Sequence, residues 1–465
     1  MPLWVYVSEL VDNIGVSISL PPLRVTYKDI SMTAEIAVFN KSAVSLAADS
    51  AVTISGDDGV NKIYTGADKL FALSKHHPVG IMIFGSADLC GIPWEMIIKD
   101  YRKKLGTDSF DTIEQYAEKF WEHLCLSENI IPQDIRENYM IDTYSNRFFP
   151  SLIKHIEKKR IKPIIDETNE KPSILETYSI IEEEANIILN GLKQVDFYEG
   201  FSENDIPDAL TFALPIARST CEEKLFKEDG IEIPETLIKV IADLFSRITC
   251  QSSPFGRNTG LVFAGYGEKE YMPAVLAFDV LGFFRSKLRF SPNLEKSSSG
   301  GLCGVKAYAQ EEEVETFLHG ISNNLKDFMY AGFEVENETI SKEIKEKIQT
   351  LNIQHEEKEA LYDNLDKLLS QRLAGYKMVI DDHVSEKYTK KVTEMIEFLP
   401  KQDLAYMAES LVNLTAFKRK VSNDNETVGG PIDVAIISKG DGFIWVKRKH
   451  YFDKDLNHHY FSKLS

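Results

Sequence analysis

The stretch from Ser31 to Ser55 reads SMTAEIAVFNKSAVSLAADSAVTIS and contains two apolar runs. The turn-forming residues Asn-Lys-Ser at positions 40–42 separate the runs, and this pattern predicts a β-hairpin. Each run is almost continuously apolar, which is typical of strands that are buried on both faces. Because this hairpin has the character of the first element of a domain, the presence of residues 1–31 before it requires an explanation.

Three further segments have the same β-rich character. The segment GLVFAGYGEKEYMPAVLAFDV (260–280) predicts a hairpin that turns near residues 267–270. The segment PIDVAIISKGDGFIWVKRK (431–449) predicts another, which turns at residues 439–442. The run PVGIMIFGSADLCG (78–91) predicts a short strand that ends at Gly85.

Helical patterns occupy much of the remaining chain. DLCGIPWEMIIKDYRKKLG (88–106) and SFDTIEQYAEKFWEHLCLS (109–127) have apolar residues at three- and four-residue spacing. Two long, charged spans, at about 128–250 and 311–400, are also mostly helical in pattern, and residues 342–373 predict a coiled hairpin or a helical lobe. Strands near both ends with helices between them predict an α+β fold, in which helices cover a layered β-core.

Composition excludes several classes of protein. The formal net charge is −19, which argues against a nucleic-acid-binding face and against adsorption to anionic membranes. The five cysteines form no C-x-x-C pair, and their odd number favours reduced thiols over a disulfide framework. The chain has neither an apolar run of about 18–20 residues nor the pattern of a secretion signal at its start. We therefore expect a cytoplasmic protein with no nucleic-acid or membrane partner.

Three residues between the first hairpin and the first helix carry candidate chemistry. Asp49 follows an apolar strand directly, so we expect a buried carboxylate that needs a partner. Lys69 stands at the start of the short apolar run KLFAL. Gly85 ends the next apolar run at a strand-to-helix transition, where a backbone N–H can stabilise an oxyanion.

These segments resemble the start of a proteasome β-subunit or of its simpler bacterial ring-protease relatives, which are N-terminal-nucleophile hydrolases. The family pattern has an N-terminal Thr, an Asp sixteen residues later, a Lys at a strand start and a Gly before the first helix; Thr33, Asp49, Lys69 and Gly85 follow that order. Lys69 comes about four residues later than in the family, and Lys62 is the competing candidate. We prefer Lys69, because KLFAL and GIMIFGSAD then align with the family strand up to its glycine, so that Lys69 begins a strand whose end carries Gly85. Lys62 lies in GDDGVNKIY (56–64), whose Gly, Asp and Asn residues predict a loose surface turn.

The resemblance implies a four-layer α/β/β/α sandwich with large helical inserts at about 128–250 and 311–400. It covers residues 33–127, 260–310 and 403–448, and the final GGPIDVAIISKGDGFIWV is similar to the last hairpin of the family. The core would then be 33–465, and residues 1–32 would be an N-terminal extension. That extension is either a propeptide or a segment upstream of a true start at Met32.

The implied activity is that of a threonine peptidase that forms an acyl-enzyme on Thr33. An N-terminal Thr carries its own base, because its α-amine has an unperturbed pKa near ~7.7–8.0 and can accept the hydroxyl proton. Lys69 would keep that amine neutral, Asp49 would hold Lys69, and the Gly85 N–H would stabilise the oxyanion. The implied substrate is a peptide or protein, with no cofactor and no metal.

The sequence also departs from the family. Where the family has Ser-Gly and Asp-x-x-Ser-Gly-Gly elements that support the threonine amine, this chain has KAYAQEE (306–312) and NETVGG, with Asn425 and Val428 in place of Asp and Ser. The alternative function is therefore a non-catalytic scaffold or regulatory subunit that binds a partner through its helical inserts. Homo-oligomerisation and hydrolysis of small amides remain open as well.

Ordinary structural explanations compete with several of these assignments. Thr33 can be a simple strand residue, Asp49 and Lys69 can form a structural ion pair, and Gly85 can be a turn glycine. Cys90 is expected to be a buried core thiol rather than a nucleophile. Adjacent histidines at 76–77 and 458–459 face opposite sides of a strand and lack neighbouring ligands at metal-binding spacing, so we expect no metal site.

Overall fold

The computed structural model describes residues 34–55, 61–225, 230–253, 259–422, 428–453 and 455–457. Thr33 lies just outside these residues. The described strands are β1 Glu35–Phe39, β2 Val44–Ala48, β3 Val52–Ser55, β4 Asn61–Tyr64, β5 Leu70–Ala72, β6 Val79–Gly85, β7 Asp88–Leu89, β8 Ile92–Pro93, β9 Thr259–Gly265, β10 Ala274–Phe284, β11 Lys287–Ser298, β12 Gly304–Ala309, β13 Asp433–Ser438 and β14 Gly442–Lys447.

Helices form most of the rest of the described chain. The α-helices are α1 Trp94–Leu105, α2 Ile113–Leu126, α3 Gln133–Asp142, α4 Phe149–Ile156, α5 Lys162–Thr168, α6 Ile174–Leu192, α7 Ile206–Lys224, α8 Glu235–Cys250, α9 Glu311–His319, α10 Asn323–Gln349, α11 His355–Val384, α12 Lys390–Glu397 and α13 Lys401–Val421. Within the described ranges, no helix is both long enough and apolar enough to cross a membrane.

The three predicted hairpins are confirmed. Strands β1 and β2 pair antiparallel around Asn40, whose side-chain Oδ1 accepts hydrogen bonds from the Ser42 and Ala43 backbone N–H groups. Strands β9 and β10 form the second hairpin, and β13 and β14 form the third. The strands β1, β2, β9 and β13 are buried along their whole length, as their continuous apolar runs predicted.

Two five-stranded antiparallel sheets make up the centre of the protein. Their strand orders are β12-β1-β2-β13-β14 in the first sheet and β11-β10-β9-β6-β5 in the second. One apolar cluster joins Leu46 and Ala435 of the first sheet to Leu70, Met82 and Val262 of the second, so the sheets pack face to face. This mixture of antiparallel sheets and helices confirms the α+β class.

Helices cover the outer face of each sheet. Helices α12 and α13 contribute Ile396 and Leu404 to a cluster that contains Val38 of the first sheet. Helices α1 and α2 contribute residues such as Phe120 to a cluster that contains Phe263 of the second sheet. The apolar stripe of each helix is therefore what holds it against its sheet.

The predicted short strand that ends at Gly85 is confirmed as β6, but the expectation that Lys69 begins the same strand was wrong. The segment is a hairpin of two strands, β5 and β6, in which Leu70 pairs with Met82. The polar residues at 74–77 form its turn, where the Ser74 hydroxyl accepts hydrogen bonds from the backbone N–H groups of His76 and His77. Lys69 and Gly85 thus lie near the same end of the hairpin because the chain reverses between them.

The first helical span has a core of its own. Residues from α3 to α8 form a cluster in which the Tyr144 and Phe245 rings stack with centroids 4.5 Å apart. The fully buried Arg289 of β11 ties this span to the second sheet, because its guanidinium donates to the carbonyl oxygens of Ile248 and Thr249 at the end of α8. These carbonyls have no partner within the helix, so the arginine completes its C-terminus.

The second helical span differs along its length. Val314 of α9 and Ile396 of α12 are buried against the first sheet, so both ends of this span belong to the core. The helices α10 and α11 between them form a hairpin with no fully buried residue in either helix. Contacts such as the edge-to-face pair of Phe333 and Tyr376 hold the two helices together.

Candidate functional site

The site lies where the described chain begins, at the open end of the β1–β2 hairpin. The Ala34 backbone N–H donates to Asp49 Oδ1 over 3.2 Å, and the Asp49 N–H donates to the Ala34 carbonyl oxygen over 3.1 Å. The carboxylate of Asp49 is therefore bonded to the peptide group that follows Thr33. Thr33 itself lies outside the described residues.

Lys69 completes an ion pair with Asp49. Its Nζ lies 2.5 Å from Asp49 Oδ1, and both side chains are almost fully buried. Lys69 takes this position because its carbonyl oxygen accepts a hydrogen bond from the Ile83 N–H, which fixes the residue at the end of the β5–β6 hairpin. The structure thus brings together two of the four residues that the sequence selected.

A second carboxylate at this lysine was missed by the sequence reasoning. Glu35 Oε1 lies 3.2 Å from Lys69 Nζ, and the Glu35 side chain has no solvent exposure. The only signal in the sequence was a glutamate between apolar residues in a strand expected to be buried on both faces. Such a residue needs a charged or hydrogen-bonding partner, and Lys69 is that partner here.

The local balance of charge differs from the one expected. The expectation was that Lys69 would dominate the electrostatics beside Thr33 and keep its amine neutral. Two buried carboxylates now surround one ammonium group, and when all three are ionised the group carries an excess negative charge. An excess of negative charge favours the protonated form of an amine placed beside it.

Gly429 and Gly430, near the end of the chain, also contact the site. The Gly429 N–H donates to Asp49 Oδ2 over 2.9 Å, and the Gly429 carbonyl oxygen accepts from the Ser50 N–H. Gly430 has a positive φ of 82°, and a Cβ at this position would stand only 2.8 Å from the Thr65 Cβ. The position therefore requires glycine for both backbone conformation and space.

Gly85 ends β6 in a left-handed conformation, with φ of 81°. It pairs with Thr259 of β9, and it stands two residues beyond Ile83, the residue bonded to the Lys69 carbonyl. Two residues of strand span about 7 Å, so Gly85 lies near the Lys69 end of the second sheet.

The two segments that stand where the resembled family has serine-containing elements supply no serine among their described residues. Ala309 of β12 pairs directly with Glu35 of β1, so no hydroxyl is present at this register position. Val428 is buried in the apolar cluster of the first sheet. Asn425 lies outside the described residues.

Lys62, the competing lysine, belongs to strand β4. The sequence reasoning had assigned it to a loose turn, and this was wrong, since its backbone pairs with Ile54 of β3 in a separate two-stranded sheet. The alternation of polar and β-branched residues in NKIY is compatible with a strand, and the cluster of Gly and Asp before it concealed this.

The remaining candidate groups have structural explanations. Cys90 is buried, and burial raises the pKa of its thiol to about 12, so it is a poor nucleophile. All five cysteines are free thiols. Within the described part of the chain, no cluster of His, Cys, Asp and Glu has the arrangement of a metal site. His76 and His77 lie in the β5–β6 turn, and His458 and His459 lie outside the described residues.

Comparisons with known proteins found no matching family model and no matching curated protein.

Proposed function

We propose that the chain is a cytoplasmic threonine-type hydrolase in which Thr33, as the first residue of the mature protein, attacks peptide bonds. The observation that carries the proposal is the buried pair of Asp49 and Lys69, because Asp49 is also bonded to the Ala34 N–H, one residue after Thr33. A buried ion pair is costly unless its geometry is favourable, and a site that needs a fixed charge beside the start of β1 gives a reason for it.

The arrangement of sheets and helices supports the same proposal at the level of the fold. Two antiparallel sheets pack face to face, and helices cover both outer faces. We propose that this core is the four-layer α/β/β/α sandwich of the N-terminal-nucleophile hydrolases, with helical inserts at about 128–250 and 311–400. Residues 1–32 would then be removed as a propeptide or bypassed by initiation at Met32.

In the proposed reaction the Thr33 Oγ1 attacks the carbonyl carbon of the substrate, and its proton passes to the Thr33 α-amine. The new C–O bond produces a tetrahedral oxyanion, for which the Gly85 N–H is the candidate donor. The protonated amine then gives its proton to the leaving amine as the C–N bond breaks. Water hydrolyses the remaining ester, which restores the threonine hydroxyl.

In the proposed reaction, Lys69, Asp49 and Glu35 have separate roles. Lys69 supplies the positive charge beside the nucleophile, and Asp49 and Glu35 hold its ammonium from two sides. A lysine held by two carboxylates has few alternative rotamers, which suits the tight positioning that a catalytic group requires. The cost is the excess negative charge, which makes the amine harder to deprotonate.

A non-catalytic scaffold is the second candidate, and three observations favour it. The carboxylate of Glu35 opposes deprotonation of a neighbouring amine, and Ala309 and Val428 supply no hydroxyl to support one. In addition, the α10–α11 hairpin exposes large apolar side chains, including Phe328 and Met378, as a partner-binding element would. Hydrolysis of a small amide uses the same chemistry and differs from peptidase activity only in the substrate.

Covalent labelling by a threonine-directed electrophile, such as a peptide epoxyketone, tests the proposal. Mass spectrometry of peptide fragments should locate the adduct on Thr33 of the wild-type protein. Lys69→Ala should abolish the adduct, while Lys62→Ala, a matched loss of one lysine from β4, should leave it near the wild-type level. If the wild type never labels although Thr33 is the free N-terminus, the scaffold function replaces the hydrolase function.

A further inference from the structure

A second candidate site lies at the other end of strand β5. A cavity of about 510 Å³ opens between the β5–β6 turn, one face of helix α1 and the β13–β14 hairpin. Its volume lies within the usual range for pockets that bind small molecules. Lys69 precedes β5, whereas Phe71 and Ala72 of the same strand line the cavity, so the two sites are distinct.

The lining of this cavity is strongly basic. Lys75, Lys99, Arg102, Lys439 and Arg448 all contribute to it, and His76 and His77 lie in the same wall. In a chain with a formal net charge of −19, this is a local reversal of sign. Such a concentration of cations attracts anions and raises their local concentration.

Three carboxylates near the cavity already have partners. Asp441, the one acidic residue of the lining, pairs with Lys401 and accepts from the Ser438 hydroxyl. Glu268 lies 3.1 Å from the His77 ring. Glu95 forms an exposed ion pair with Lys99, and such a pair contributes little, so a phosphate can replace the carboxylate. Among the described residues, no carboxylate forms an ion pair with Lys75 or Arg448, so within that part of the chain both cations are available to an anion.

One wall of the cavity is aromatic. The rings of Phe443 and Trp445 lie edge to face with their centroids 5.1 Å apart, and both are half-buried. The Arg448 guanidinium lies 4.4 Å from the centre of the Trp445 ring, so this wall also carries a charge. An aromatic wall beside a cluster of cations suits a ligand that has both a flat ring and several negative charges.

We propose that this cavity binds a nucleoside polyphosphate. The phosphates would contact Lys75, Lys99 and Arg102, since lysine and arginine are the side chains that recognise phosphate most readily. The base would lie against Phe443 and Trp445. This site is independent of the proposed hydrolase reaction, because none of its residues belongs to the group around Lys69.

Isothermal titration calorimetry on the full chain, at low salt and without magnesium, tests the proposal with three probes. ATP carries both the ring and the charges, tripolyphosphate carries only the charges, and adenosine carries only the ring. ATP should bind more tightly than tripolyphosphate, and adenosine should bind most weakly. Equal affinities for ATP and tripolyphosphate would overturn the assignment to a nucleotide, as would no ATP binding at millimolar concentration.

Two sets of variants locate the site. Lys75→Glu combined with Lys99→Glu should weaken ATP binding by at least about tenfold, because two cations become anions. Lys103→Glu reverses a charge on the same helix but outside the cavity, so it should change the affinity by less than about twofold. Trp445→Ala should reduce the affinity for ATP towards that for tripolyphosphate. If the Lys75/Lys99 variant binds ATP as the wild type does, the cavity is not the site.

Discussion

The two ends of strand β5 carry opposite charge in different surroundings. At the Lys69 end, two carboxylates surround one ammonium group and all three side chains are almost fully buried. At the other end, several cations line an open cavity, and Lys75 and Lys99 are exposed. A strand of three residues therefore separates a buried, carboxylate-rich group from an accessible, cation-rich one.

This difference in burial and charge indicates what the Lys69 group and the cavity can each act on. Buried charges interact strongly and are screened little by salt, so they can fix the protonation and orientation of one neighbouring group. Exposed cations are hydrated and screened, and they act by attracting ligands from solution. The Lys69 group therefore suits a nucleophile within the chain, and the cavity suits a dissolved anion.

The largest effect is expected from Lys69→Met. This change removes the ammonium group and leaves Asp49 and Glu35 as buried charges without it, so we expect a loss of about 3–5 kcal/mol in the free energy of unfolding. Lys75→Met removes an exposed cation and should change this free energy by no more than about 0.5 kcal/mol. Urea unfolding followed by circular dichroism measures both.

A double variant sharpens this prediction. Adding Glu35→Gln to Lys69→Met removes one of the two buried carboxylates that have lost the ammonium group, so part of the lost stability should return. If Lys69→Met is as stable as Lys75→Met, the buried group is not the strongly coupled unit that its distances indicate.

The next largest effect concerns the pH dependence of labelling at Thr33. Glu35→Gln removes a negative charge from the group, which disfavours the protonated form of the adjacent amine and lowers its pKa. The pH of half-maximal labelling should therefore move down by about one unit. Glu295→Gln, an exposed change on β11, should leave the profile in place. A shift to higher pH in the Glu35 variant would contradict the charge balance described here.

A smaller effect distinguishes the two ends of β5 by their response to salt. Between about 50 and 500 mM NaCl, ATP affinity at the cavity should fall several-fold, because the cations there are accessible to counterions. The stability difference between wild type and Lys69→Met should change little over the same range. If the ATP affinity and this stability difference were equally sensitive to salt, the distinction between a buried and an exposed site would be wrong.

The smallest effect is expected at the buried cysteines. Burial raises the pKa of the Cys90, Cys221 and Cys250 thiols to about 12, so almost no thiolate is present at pH 8. None of the three should react with a maleimide in the native protein, whereas all five cysteines should react in urea. Rapid native modification of Cys90 would show that its surroundings open, and it would complicate the assignment of electrophile adducts to Thr33.

The elements that the sequence predicted correctly depend on local chemistry. The turn at Asn40 and the turn after Ser438 carry strong short-range signals, and their flanking apolar runs are clear. Strand β11 was missed because its sequence, KLRFSPNLEKSS, contains a proline and many polar residues. Strand β12 was missed because pairing with β1, about 270 residues earlier in the chain, defines it.

The site was predictable in part for the same reason. Asp49 could be recognised because it follows an apolar strand, and the resemblance pointed to Lys69. The role of Glu35 depends on the β5–β6 hairpin, a chain reversal that the resemblance did not predict. The cavity could not be predicted, because three segments distant in sequence form it and none of them carries a motif alone.

The central claim is that Thr33 is the first residue of the mature chain, and N-terminal sequencing tests it most directly. The protein should be purified from its own host, without an added tag, and its intact mass should be measured in parallel. We predict that the sequence begins Thr-Ala-Glu-Ile, with the mass of residues 33–465. A sequence that begins Met-Pro-Leu or Pro-Leu-Trp in every molecule would contradict it, because an interior threonine has no α-amine to serve as its base.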